Sequence, residues 1–142
     1  MLIAVDFDGT IVQHEYPRIG KELPFAIETL KRLQSEFQHQ LVLWTVRDGK
    51  QLEEAVEFCR VRGLEFYAIN ASYPEETYQE GMSRKVNADL FIDDRSLGGL
   101  PDWGIIYRMI AEKKHLQSPK SDIHSEYPTK KKGFLDSLFG GK

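Results

Sequence analysis

Four apolar residues, Leu2, Ile3, Ala4 and Val5, run directly into Asp6, Phe7, Asp8, Gly9 and Thr10. That junction restricts the chain to few folds. An apolar stretch this short, broken by a glycine, reads as a strand buried on both faces of a parallel sheet. Side chains alternate along a strand, so Asp6 and Asp8 share a side at its carboxyl end, where open α/β sheets form their ligand crevices. Two carboxylates held close repel each other unless a cation neutralises them or one keeps its proton. Hard oxygen donors of this kind favour magnesium. A second acidic corner lies far along the chain, where Leu90, Phe91 and Ile92 end in Asp93 and Asp94. If the two strands are neighbours, both corners converge on one ion.

Between these corners, strand and helix signals alternate, which predicts βα units and a parallel sheet. Residues 24–37 open with Pro24 in the first helical turn and repeat Ala26, Ile27, Leu30, Leu33 and Phe37 at helical spacing. The second strand is expected over LVLWT at 41–45. Asp48 then caps a helix that ends at Gly63, with Leu52, Val56, Cys59 and Val61 on its apolar side. FYAIN at 66–70 reads as a third strand, Leu90–Ile92 as the fourth and WGIIY at 103–107 as a fifth, followed by a helix over 108–116. The segment 72–87 is ambiguous and takes Lys85 into or beside a short helix. Trp44 and Trp103 read as packing residues, and Cys59 as an inert buried thiol.

Four separated motifs match a known pattern: VDFDGT at 5–10, Thr45 in LVLWTVRD, Lys85 in SRKVNADLF, and IDD at 92–94. On these the chain resembles the haloacid dehalogenase-like superfamily of phosphatases and phosphotransferases. The resemblance implies a Rossmann-like three-layer α/β sandwich with a five-stranded, mainly parallel sheet. It also implies a magnesium-dependent enzyme that hydrolyses phosphomonoesters. The gaps between motifs leave no room for a large cap domain. Asp6 would attack phosphorus and carry the phosphoryl group as an aspartyl phosphate, while Asp8 serves as general acid and base. Thr45, Val46, Arg47, Gly9 and Lys85 would bind the phosphate, with Lys85 also holding Asp6 in line. Mg2+ would be held by Asp6, the backbone carbonyl of Asp8, and Asp93 or Asp94. Without it, an anionic carboxylate approaching an anionic phosphate meets a repulsion of about 4 kcal/mol at 4 Å, roughly a thousandfold in rate.

The remaining features bound the function from outside the site. At 142 residues with a net charge of −3, the chain suits one domain and shows no broad basic field for nucleic acid. A single cysteine, no apolar run near membrane-spanning length and an acidic start lead us to expect a cytoplasmic protein. Residues 1–116 form the expected catalytic domain, with 14 basic and 19 acidic side chains, whereas 117–142 carry 5 basic and 3 acidic. That polar tail ends in Phe134, Leu135, Leu138 and Phe139, a small apolar motif suited to a partner, a second copy of the chain or a membrane surface. The expected ligand is a phosphorylated substrate, with homo-oligomerisation left open. His14, Tyr16 and Arg18 lie in a flap after the first motif, within reach of a leaving group. Asn70 and Arg95 border the crevice in structural roles. Two alternatives stay open: a phosphotransferase or phosphomutase using the same Asp6, and a catalytically idle scaffold that recruits a partner through its tail.

Overall fold

The computed structural model describes residues 1–113. The tail proposed for 117–142 lies outside them. The chain builds an α/β fold from a parallel sheet and three helices: β1 (Leu2–Val5), α1 (Ala26–Phe37), β2 (Gln40–Leu43), α2 (Gly49–Arg60), β3 (Ala68–Ile69), β4 (Leu90–Ile92) and α3 (Trp103–Ala111). Strand order is β3-β2-β1-β4, with every pair parallel. The chain winds outward from β1 to β2 and β3, then returns to the other side of β1. This reversal creates a crevice at the carboxyl end of β1.

Sheet pleating sorts the core. Ile3, Val5, Leu41, Leu43 and Ile92 pack with Ile27, Leu30 and Leu33 of α1, Ala55 and Cys59 of α2, and Trp103, Ile106 and Ile110 of α3. Alternate strand positions Val42 and Ala68 form a smaller cluster with Val86, against which Ala71 and Ala88 pack. All three helices therefore cover one face, and the β3–β4 connection crosses the other without helix. A right-handed crossover that reverses direction along the sheet must change faces, which accounts for that route. The expected three-layer sandwich is corrected accordingly, since its third layer is irregular chain among the described residues.

The helices follow their periodic residues closely. In α1 the apolar stripe is the expected one, but the helix starts after Phe25, which holds a left-handed φ of 66°, so Pro24 precedes the helix. Asp48 occupies the N-cap of α2 without a side-chain capping bond, and Val61 is exposed rather than packed. The fifth strand is a helix instead. Asp102 caps α3 by accepting from the Gly104 N–H at 2.8 Å, and Trp103, Ile106 and Ile110 then recur at helical spacing toward the core. The sheet has four strands among the described residues.

Trp103 also reaches the first motif, donating from Nε1 to the carbonyl of Thr10 at 3.0 Å in a buried contact. Trp103→Phe keeps most of the apolar packing but strands that carbonyl, so it should destabilise the protein by about 1–3 kcal/mol. Trp103→Ala should cost about 3–5 kcal/mol. Urea unfolding would measure both, and a neutral Trp103→Phe would show that the bond does not anchor the loop.

Candidate functional site

Strand register assembles the acidic corner. Val5 pairs with Ile92, and the ladder extends one step further when the Asp6 N–H donates to the Ile92 carbonyl at 3.0 Å. Asp6 thereby lies beside the start of the second acidic pair. On its other side the Trp44 N–H donates to the Val5 carbonyl at 2.8 Å, which brings Thr45 level with the same end. Asn70, in a left-handed conformation after β3, accepts the Thr45 N–H on its side-chain oxygen at 2.8 Å. Its role is to hold the loop, as expected.

Carboxylate oxygens of Asp6, Asp93 and Asp94 all lie within 4.8 Å of one another. Thr10 ties the group together: its fully buried hydroxyl donates to Asp6 Oδ2 at 3.3 Å and accepts the Asp94 N–H at 3.0 Å. Thr10 stood in the first motif with no role assigned from sequence, because its second partner comes from the loop after β4. Gly9 lets Asp94 approach. With φ at +88°, a Cβ there would meet Asp94 Oδ2 at 2.3 Å, so both backbone and space require glycine.

The electrostatics fit a divalent cation. Burial, aided by the charges of Asp93 and Asp94, raises the Asp6 pKa from 3.8 to about 6, against the lowering effect of the Phe7 backbone and the Thr10 hydroxyl. Asp94 Oδ1 is buried with no hydrogen-bond partner. An orphaned carboxylate oxygen beside two more carboxylates is relieved by a retained proton or by a cation, and an all-oxygen donor set suits a hard ion. Asp93 is the more satisfied of the second pair, since its Oδ1 accepts the Arg95 N–H at 2.7 Å.

A crevice of about 250 Å³ opens over this centre, lined by Asp6, Asp8, His14, Trp44, Thr45, Val46, Asp93 and Arg95. Three expected site residues take other positions. The Asp8 carboxylate is turned away from the three-carboxylate group and into a bidentate pair with Arg47, at 2.6 and 2.7 Å. Arg47 does not face an incoming phosphate; it is 1% exposed and also donates to the carbonyls of Pro17 and Arg18. Lys85 lies with its ammonium 5.3 Å from the centroid of the Phe91 ring, and it does not line the crevice. Arg84 instead borders a neighbouring hollow that shares Trp44 and Thr45 with the crevice.

Among solved structures, the chain is similar to a conserved protein from Bacteroides thetaiotaomicron, at 65% identity and a TM-score of 0.75. The match covers 84% of this chain and 98% of that one. The two chains belong to one family. No protein-family model and no curated protein matches the chain.

The raised Asp6 pKa has a consequence for stability. Between pH 3.8 and about 6 the folded protein holds a proton that the unfolded chain has released. Metal-free stability should therefore fall as pH rises through that window. Asp6→Asn removes this cost, and after screening of the partly exposed carboxylate it should stabilise the metal-free protein by about 1–2 kcal/mol at pH 7. Magnesium should raise the melting temperature of the wild type and much less that of the variant. Thermal melts with and without chelator would check both, and a destabilised Asp6→Asn would contradict the repulsive centre.

Proposed function

We propose that this chain is a magnesium-dependent phosphomonoester hydrolase of the haloacid dehalogenase-like type, acting through an aspartyl phosphate. The observation that carries this reading is the convergence of Asp6, Asp93 and Asp94 at the carboxyl ends of two adjacent strands, with the Asp94 Oδ1 oxygen left unpartnered. A bound Mg2+ would be held by these carboxylates, with the Asp8 carbonyl in reach of the same loop, and would neutralise the charge between carboxylate and phosphate.

Asp6 is the nucleophile. Its carboxylate oxygen displaces the leaving alcohol at phosphorus, and water later releases the phosphoryl group. Asp8 is the general acid and base of this scheme, a role for which its carboxylate must leave the fork of Arg47 that holds both of its oxygens. The Thr45 hydroxyl accepts the Arg47 N–H at 3.2 Å, which leaves its own proton for a phosphate oxygen. Arg95 and His14 line the crevice where an anion would enter. The flap over 13–21 is short, and the β3–β4 connection crosses the far face, so we read the site as uncapped, in a Rossmann-like frame. A cytoplasmic setting suits a lone buried cysteine, and among the described residues no helix is long and apolar enough to cross a membrane.

The position of Lys85 over Phe91 favours a second reading, a catalytically idle relative that still binds a cation. Turnover separates the two. Phosphate release should require Mg2+, vanish with chelator, and fall by about a thousandfold or more in Asp6→Asn. Asp8→Asn should lose about 10²–10⁴-fold on alkyl phosphates. A screen across sugar phosphates, nucleotides, nucleic-acid ends and phosphopeptides that finds no magnesium-dependent release would support the idle reading instead.

A further inference from the structure

We propose that the hollow beside the crevice seats the body of the substrate, and that Arg84 within it selects phosphomonoesters carrying a second anionic group, a carboxylate or a further phosphate. The proposal deepens the hydrolase reading given above and rests on it. The hollow measures about 270 Å³ and the crevice about 250 Å³, and Trp44 and Thr45 are walls of both. A molecule whose phosphate meets the acidic corner therefore has its remaining atoms within reach of the hollow. Joined, the two spaces fall in the size range of small-molecule sites, about 300–1,000 Å³.

The hollow is rich in donors that the protein leaves unused. Asn70 accepts the Thr45 N–H on its side-chain oxygen at 2.8 Å, and among the described residues its amide nitrogen has no acceptor. Ser83 accepts the Lys85 N–H on its hydroxyl oxygen at 3.3 Å, which leaves the hydroxyl proton to donate. Arg84 enters no ion pair among the described residues. Its guanidinium carbon lies over the Tyr78 ring, 4.3 Å from the centroid, a contact that steadies the side chain without occupying its N–H donors. The carboxylate in the wall, Glu76, already accepts the Ser72 N–H.

Asn70 follows β3, while Ser83 and Arg84 belong to the connection that leads to β4, so the fold gathers these donors on one side of Thr45. A carboxylate or phosphate can meet a guanidinium through two parallel bonds, a fit that an ammonium does not offer. A lone ion pair at an exposed position counts for little in water. Here Trp44, Tyr78 and Met82 exclude part of that water and give apolar surface to the carbon atoms between the two anionic groups. Glu76 makes a cationic substituent the competing occupant, and the excess of unused donors over free acceptors favours the anion.

The test uses the full chain with Mg2+ and matched series of alkyl phosphates, carboxyalkyl phosphates, alkanediol bisphosphates and aminoalkyl phosphates of graded chain length. The wild type should favour its best carboxylated or bisphosphorylated ester over the alkyl counterpart by about tenfold or more in kcat/KM, chiefly through KM. Arg84→Gln should reduce that preference to less than about twofold while lowering kcat/KM on alkyl phosphates by less than about threefold. Arg84→Lys should keep part of the preference. Binding without turnover gives an independent readout. In isothermal titration calorimetry with Mg2+, 3-phosphonopropionate should bind the wild type about tenfold more tightly than propylphosphonate, and Arg84→Gln should equalise the two. Equal losses on every series in Arg84→Gln, or no preference for a second anion, would overturn the proposal. A preference for aminoalkyl phosphates would also overturn it and assign the hollow to Glu76. If no ester releases phosphate but the phosphonates keep their Arg84-dependent difference, the hydrolase reading fails and the anion subsite stands. If that difference is absent as well, both fail.

Discussion

The partial burial of Asp6 beside Asp93 and Asp94 is the constraint on which the rest of the structure bears. Parallel pairing of β1 with β4 extends through the Asp6 N–H, so the two acidic corners cannot separate without breaking the central ladder of the sheet. The fold accepts the resulting cost locally. Asp6 is driven toward its neutral form, and Asp94 keeps one oxygen unpartnered. A raised carboxylate pKa and an unpartnered carboxylate oxygen at the reversal point of an open α/β sheet mark the candidate site.

Around that centre, a set of neutral and charged contacts holds the loops in place. Thr10 bridges Asp6 to the Asp94 backbone, Trp103 holds the Thr10 carbonyl, and Asn70 fixes the Thr45 backbone. Each partner comes from a different element, so the four loop segments at this end of the sheet brace one another. Arg47 extends the bracing to the flap. The positive charge nearest to Asp8 is therefore internal, and Arg95 lies at the crevice wall.

Much of the fold was legible in the chain because its elements are locally consistent. The stripe of Ala26, Ile27, Leu30 and Leu33 marks α1, and the apolar runs that end at Asp6 and Asp93 mark the two strands whose ends form the site. The misreading of WGIIY has a simple cause. Trp103, Ile105, Ile106 and Tyr107 carry strand propensity, but Asp102 is a capping residue, and the spacing of Trp103, Ile106 and Ile110 outweighs propensity once α1 and the sheet offer a surface. That this face carries no helix among the described residues was not readable from local pattern, since Val86 and Ala88 cover it from irregular chain.

Sequence alone determined that two carboxylate-bearing strand ends exist and that a glycine follows the first; short-range pattern suffices, because alternation and turn chemistry act over a few residues. Tertiary structure decided which of the acidic groups stand together. It placed Asp94 against Gly9, turned Asp8 to Arg47 across 39 residues of chain, and left Lys85 over Phe91 instead of in the crevice. The reason is physical: partner choice among charged side chains is set by burial and by the path of the connecting segments, and neither is encoded in the identity of the residues next to them.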